Sequence, residues 1–211
     1  MLAFLREAID PVITGLPLFP LKTVLFPGGR LPLRIFEQRY LAMAKACLAD
    51  ARVFGVCCIT QGSEVAEAAA LDALPRFAAI GTLATLRDWD MPQLGILHVT
   101  AMGSSRFHVR SHSAQSDGLI VAEAMPIATE PSVVLDESDR SLARLLELLA
   151  ARVGSSHFPP DAAFDDASWV GYRLAELLPL PLSIKQDMLE INDATVRLTV
   201  LHKFLRQHGL L

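Results

Sequence analysis

The feature that most constrains the fold is the proline-laced stretch over residues 16–48, LPLFPLKTVLFPGGRLPLRIFEQRYLAMAKACL. Leu16 and Leu18, then Leu31, Leu33 and Ile35, alternate with Pro17, Pro32 and Arg34. That period of two marks half-buried strands. Proline has no N–H to give a ladder, so Pro17, Pro20 and Pro32 assign these strands to a sheet edge or to bulges. Pro27-Gly28-Gly29 is a tight reversal, and the extended pieces on either side of it are expected to lie close together. From Phe36 the period becomes helical. Phe36, Tyr40, Leu41, Ala44, Cys47 and Leu48 share one face, with Glu37, Gln38, Arg39 and Lys45 elsewhere. The unit reads strand, turn, strand, helix.

Further strands follow. Residues 53–60, VFGVCCIT, form a continuous apolar strand, and residues 61–75 read as a surface loop, partly helical. Four more strands are expected over residues 77–89, 95–101, 105–112 and 119–126, with reversals at 88–92 and 101–104. Short strands with one early helix suggest a small closed or nearly closed β-barrel. Closure also removes the exposed apolar edges that such strands would otherwise present. A short helix is expected over residues 2–9, stopped by Asp10-Pro11.

After Ile127 the composition changes. Residues 128–135 read as a linker. Asp136 can cap a helix whose stripe is Leu142, Leu145, Leu146, Leu149 and Val153, ended by residues 154–160. A second helix is expected over residues 166–178, with Trp169, Val170, Leu174, Leu177 and Leu178 inward. Ser183 and Gln186 form a capping-box pattern opening a third helix. Asp193 can cap a fourth, with Val196, Leu198, Val200, Leu201, Phe204 and Leu205 apolar. The expected fold class is α+β: a barrel domain over residues 1–127 with one inserted helix, then a helical bundle domain over residues 128–211.

Composition narrows the function. At 211 residues and 52% hydrophobic, the chain has ample core and no basis for long disorder. A mean hydropathy of +0.36 fits buried leucines, and it also fits an open apolar groove of the kind a peptide binder needs. The net charge of −4 and the lack of a Lys/Arg cluster argue against nucleic acid as a partner. Cys47, Cys57 and Cys58 make no disulfide framework, and the adjacent Cys57-Cys58, which fit neither a zinc nor a dithiol pattern, are expected as small buried hydrophobes. The N-terminus lacks the basic and apolar regions of a secretory signal. No apolar run nears the roughly 20 residues of a membrane span. A reducing cytoplasm is the expected setting.

Catalytic patterns are missing. There is no G-x-x-x-x-G-K-[ST], no G-x-S-x-G and no H-E-x-x-H. Ser183 and Lys185 lie two apart at a helix start and point in different directions. His108 and His112 share a strand face that His98 can join, and three imidazoles can bind zinc. Arg106 and Arg110 on that same face oppose a cation, so rim histidines are expected instead. His202 and His208 are explained by the helix dipole. Asp136, Glu137, Asp139, Asp165 and Asp166 sit at helix starts, where capping accounts for them. No catalytic residue, metal or cofactor is expected.

Three motifs in order carry a resemblance. They are LPLFPLKTVLFPGGRLPLRIFEQRYLAM; then Gly81-Thr82 with Gly103 and Arg106-Phe107-His108-Val109; then Leu180-Pro181, Lys185-Gln186, Leu189-Glu190, Asp193 and Arg197-Leu198. Together they resemble the N-terminal substrate-binding domain of Lon proteases, especially its free-standing bacterial relatives. The likeness runs from Leu16 to about Leu205. In full-length Lon this region precedes an ATPase and a Ser-Lys protease, and neither has a counterpart here. The resemblance implies a PUA-like pseudo-barrel and a non-catalytic module for unfolded or extended polypeptide.

Candidate peptide-binding residues are Phe19, Phe26, Arg34, Phe36, Tyr40, Arg106 and Phe107. The proline-edged strands can accept an extended peptide, and a cleft between barrel and bundle can hold side chains. Arg34, Arg39 and Arg106 each suit either a peptide carboxylate or an internal salt bridge. The partner is expected to be a polypeptide substrate or a partner protein. The alternatives are an adaptor for a separate AAA+ protease, an RNA-binding PUA-like module, and an enzyme with an unrecognised site.

Overall fold

The computed structural model describes residues 12–64, 74–154, 158 and 162–210. The helix expected over residues 2–9 and most of the 61–75 loop lie outside them.

β1 (Ile13–Leu21) is the strand that closes the barrel. Its first half runs antiparallel to β7 (Ile120–Pro126), as far as Leu18↔Ile120. Its second half runs parallel to β3 (Phe54–Gln61), from Leu18↔Gly55 to Leu21↔Cys58. Among the described residues Pro17 therefore faces β7 alone and Pro20 faces β3 alone. Each proline sits where the strand has one partner, which is how a closing strand tolerates residues that cannot donate. β5 (Ile80–Gln93) and β6 (Ile96–Ala114) complete the circuit β1-β7-β6-β5-β3-β1. Among the described residues β2 (Arg30–Ile35) pairs with β6 alone, and the short β4 (Arg76–Phe77) pairs with β3. The edge expected from Pro32 is thus found in β2.

Two sequence expectations give way here. The extended pieces flanking the Pro-Gly turn do lie close together, Leu21 of β1 and Leu31 of β2 lining one groove, but among the described residues they do not pair with each other. The turn docks on β6 instead: Gly28 N–H donates to Gly103 O at 3.0 Å, and Gly103 N–H donates to Gly29 O at 2.9 Å. A Cβ at Gly103 would lie 2.4 Å from Phe26 O, so only glycine permits this approach. The reversal expected at 101–104 is absent, because β6 runs straight through. Between Gly103↔Ala84 and Arg106↔Thr82, β6 advances three residues while β5 advances two, so Ser104-Ser105 are absorbed as a bulge. The other reversal lies at Leu94-Gly95, not at 88–92, with Gln93↔Ile96 closing a hairpin and Gly95 at φ 82.

Helix α1 (Gln38–Asp50) packs into the barrel with Tyr40, Met43, Ala44 and Cys47, against Phe19, Ile35, Phe54 and Val99. The remaining helices are α2 (Arg140–Val153), α3 (Ala167–Leu177), α4 (Leu182–Glu190) and α5 (Ala194–Gln207). Asp166 and Asp193 cap α3 and α5 as expected, accepting from Trp169 N–H and from Thr195 and Val196 N–H. Asp136 caps a single 3-10 turn, Glu137–Asp139, that leads into α2.

The capping box at Ser183 does not form. Pro181 occupies the cap, and the Gln186 side chain crosses to the barrel, donating to Ile80 O at 2.9 Å. In α5, Val196 and Val200 of the expected stripe are exposed, while Arg197 is fully buried. The bundle core also takes in Val24, Phe26, Cys58 and Ala78 from the barrel, so the two parts share one hydrophobic interior. None of the described helices is long and apolar enough to cross a membrane.

Candidate functional site

An arginine within a helix face of leucines must find an acceptor or bury an uncompensated charge. Arg197 finds Glu130, which lies in the linker between barrel and bundle. Its Nη1 donates to Glu130 Oε2 at 3.0 Å, and its Nη2 reaches Glu130 Oε1, Tyr172 Oη and Ile191 O. Its Nε donates to Met188 O, and its guanidinium lies 3.8 Å from the Tyr172 ring centroid. Arg106 of β6 joins from the barrel side, with Nη2 3.2 Å from Glu130 Oε1 and Nη1 donating to Leu189 O and Ile191 O. Tyr172 Oη and Ser168 Oγ donate to the same carboxylate at 2.6 and 2.8 Å.

Burial alone would raise the Glu130 pKa. Hydrogen bonds from Arg197, Tyr172 and Ser168, with the charge of Arg197, outweigh it and hold the carboxyl below its ordinary value. A carboxylate so firmly ionised is a lock, not a proton-transfer group. It ties β6, the linker, α3 and α5 together. Arg106 thus makes the internal salt bridge, one of the two roles its sequence position allowed. Beside this knot, between barrel and bundle, lies a cleft of about 410 Å³ whose lining is mostly apolar, with Pro27, Ile127, Ala128 and Trp169 beside the hydroxyls of Ser104, Ser105, Thr129 and Ser132.

Sequence reasoning missed Glu130, Tyr172 and Arg197 as a set. One signal was present: Arg197 falls at helical spacing between Ala194 and Leu201, both buried. A charge there calls for a partner.

Of the seven candidate residues, Phe26 and Phe107 are sealed in the core at 0% exposure. Phe19, Arg34, Phe36 and Tyr40 come together around a groove of about 270 Å³. Leu21 of β1 and Leu31, Pro32, Leu33 and Ile35 of β2 complete its walls, with Glu37 and Glu64 at the rim. Phe19 stacks on Tyr40 with ring centroids 4.1 Å apart. Burial pushes the Tyr40 hydroxyl up to about 12, so it stays neutral. Phe36 is 50% exposed and Arg34 is exposed, both beside this floor. Arg39 is turned inward: it pairs with Glu37 at 2.7 Å and donates to Gly118 O at 3.1 Å. The groove thus offers an apolar floor, one exposed aromatic ring, one exposed cation and two carboxylates, those of Glu37 and Glu64.

A histidine in the bundle has the partners of a catalytic relay. His202 Nδ1 lies 3.0 Å from Asp139 Oδ1, and His202 Nε2 lies 3.1 Å from Ser141 Oγ. The helix dipole expected to explain His202 is therefore not its main partner. The trio ties the first turn of α2 to α5, and the clefts beside β2 and beside Glu130 are lined by other residues. Among the described residues no group of three His, Cys, Asp or Glu side chains could hold a metal ion. His98, His108 and His112 are all exposed. The three cysteines are free and buried.

The comparisons with known proteins bear on this geometry. A model of the ATP-dependent protease La (LON) substrate-binding domain matches residues 15–207. The crystal structure of a Lon N-terminal domain protein from Xanthomonas campestris is 34% identical, covers 90% of this chain and 98% of its own, and superposes with a TM-score of 0.72. The N-terminal domain of the Mycobacterium avium complex Lon protease shares the fold at 17% identity and a TM-score of 0.63, covering 92% of this chain and 99% of its own. No curated protein sequence matches. With its proline-edged barrel, its docked bundle and a match over nearly all of its length, the chain belongs to the Lon substrate-binding domain family.

Proposed function

We propose that this protein is a non-catalytic module that binds unfolded or extended polypeptide in the groove between β1, β2 and α1. The observation that carries the reading is the convergence of Phe19, Arg34, Phe36 and Tyr40 on one groove, in a chain of a substrate-binding family. An apolar floor with few polar anchors suits side chains that native proteins bury. The net charge of −4 disfavours an RNA ligand. A cytoplasmic setting belongs to the same proposal and accords with three free, buried thiols. Service as an adaptor for a separate AAA+ protease is compatible with this reading, because such a partner would use the same captured chain.

The test is size-exclusion chromatography with reduced, carboxymethylated lactalbumin and with its native form. The expected result is co-elution with the unfolded form only. Equal behaviour of the two forms would remove the proposal.

A further inference from the structure

Two strand edges face the groove, and their backbone polarity can be read. On β1, β7 ends at Leu18, so residues 19–21 keep β3 on one side and, among the described residues, no strand on the other. β2 has β6 on one side and, by the same measure, none on the other. Both open edges line the groove. Lys22 N–H, just beyond β1, donates to the Glu64 carboxylate, which also lines the groove. Pro20 has no N–H to give β3, so its backbone suits the open side of β1. On β2 the Arg30 backbone hydrogen-bonds the Glu176 carboxylate of α3. Pro32 and Arg34 share that side.

The two edges are therefore blunted in the same way. Proline removes a donor from each, and a carboxylate masks a donor beside each. What they still offer is carbonyl oxygen from Pro20, Pro32 and Arg34, with the Arg34 N–H as one remaining donor. An acidic side chain already occupies the place of a neighbouring strand's carbonyl at Lys22.

We propose that this gap is the seat of an inserted strand. An extended segment of unfolded polypeptide enters between β1 and β2 and bridges them, with Glu64 as the intramolecular occupant that it displaces. This rests on the polypeptide-binding reading above and states its mode. The incoming backbone donates N–H groups to the open carbonyls, and one of its own carbonyls takes over Lys22 N–H. Alternate side chains point inward to Phe19, Leu31 and Leu33 and outward past Arg34, which favours an acidic residue there. The Glu64 carboxylate on Lys22 shows that this N–H takes an acceptor, which a backbone carbonyl also supplies. Backbone pairing also explains how such a site tolerates many sequences.

The test uses a fluorescein-labelled dodecapeptide alternating Leu and Ser, with one central Asp, read by anisotropy. A second peptide carries N-methyl groups on every other backbone nitrogen. Both are titrated into the full chain and into Glu64→Ala, with circular dichroism to show that the variant folds. The plain peptide should bind and the methylated one should not. Glu64→Ala should bind about fivefold tighter, the scale of one freed hydrogen bond. Hydrogen exchange at the Lys22 and Arg34 amides should slow on binding. If methylation changes nothing and Glu64→Ala binds as the parent does, strand insertion is wrong while polypeptide binding stands. If neither peptide nor any unfolded protein binds, both readings fall.

Discussion

Glu130 shows what one residue decides. Two buried arginines, Arg106 and Arg197, depend on its carboxylate. Removing one partner from such a set leaves uncompensated buried charge, which costs about 3–5 kcal/mol. Glu130→Ala should lose that much in urea unfolding, far more than a loop substitution elsewhere. The pH dependence has a definite sign. The folded pKa lies below the unfolded value of about 4.3, so this stabilisation is present above that value and is lost as pH falls through the folded one. Thermal melts of the parent should hold steady from neutral pH to about pH 5 and drop below about pH 4. In Glu130→Gln the part of the drop due to this group should be absent.

The cysteines give a second prediction at this scale. Burial pushes Cys57 up to about 12 and Cys58 up to about 11, and it raises Cys47 as well. A chromogenic disulfide reagent at pH 8 should find no thiol in the folded protein and all three on denaturation. Fast labelling of the native state would show that these strands open readily. The burial of Cys57 and Cys58 was legible in the sequence, because small sulfur side chains stood in an apolar run. The partner of Arg106 was not, because Glu130 and Arg197 lie far from it in sequence and nothing local marks them as neighbours.

At the scale of elements, the periodicity located the main helices and most strands but not the turns, and it divided the single strand β6 in two. Gly103-Ser104-Ser105 has turn composition, yet its glycine serves a close approach to Phe26 O and its serines form a bulge. Which use a glycine serves depends on what packs against it, and that is tertiary information. Gly103→Ala should therefore cost about 1–3 kcal/mol by overpacking against backbone that cannot yield. Chemical denaturation measures this directly. The Ser183 capping box failed for a similar reason, since the barrel carbonyl of Ile80 competes for the Gln186 side chain. The trio of Ser141, His202 and Asp139 joins α2 to α5. A fluorophosphonate probe should leave Ser141 unlabelled, and labelling that vanishes in Ser141→Ala would establish a hydrolytic site.

At the scale of the whole molecule, barrel and bundle are joined by shared apolar core and by ion pairs. Val24, Phe26, Cys58 and Ala78 belong to the bundle's cluster. Arg173 of α3 donates to Pro27 O at 2.8 Å, adding a tie from the bundle to the Pro-Gly turn. A boundary at residue 127 is therefore proposed as a topological division rather than a thermodynamic one. Trp89 reports on the barrel hairpin and Trp169 on the bundle. Single-tryptophan variants should unfold in urea with coincident midpoints.

The groove follows from the same assembly. β1, β2 and α1 meet there because the barrel closes through β1 while β2 stays on β6. The most direct test of its role is calorimetric titration of reduced, carboxymethylated lactalbumin into the parent chain and into Arg34→Ala/Phe36→Ala. Both substituted side chains are exposed, so stability should shift by less than about 0.5 kcal/mol per site. The account predicts saturable binding by the parent and at least about tenfold weaker binding by the variant, a loss of about 1.4 kcal/mol. Binding of equal strength by both proteins would contradict it.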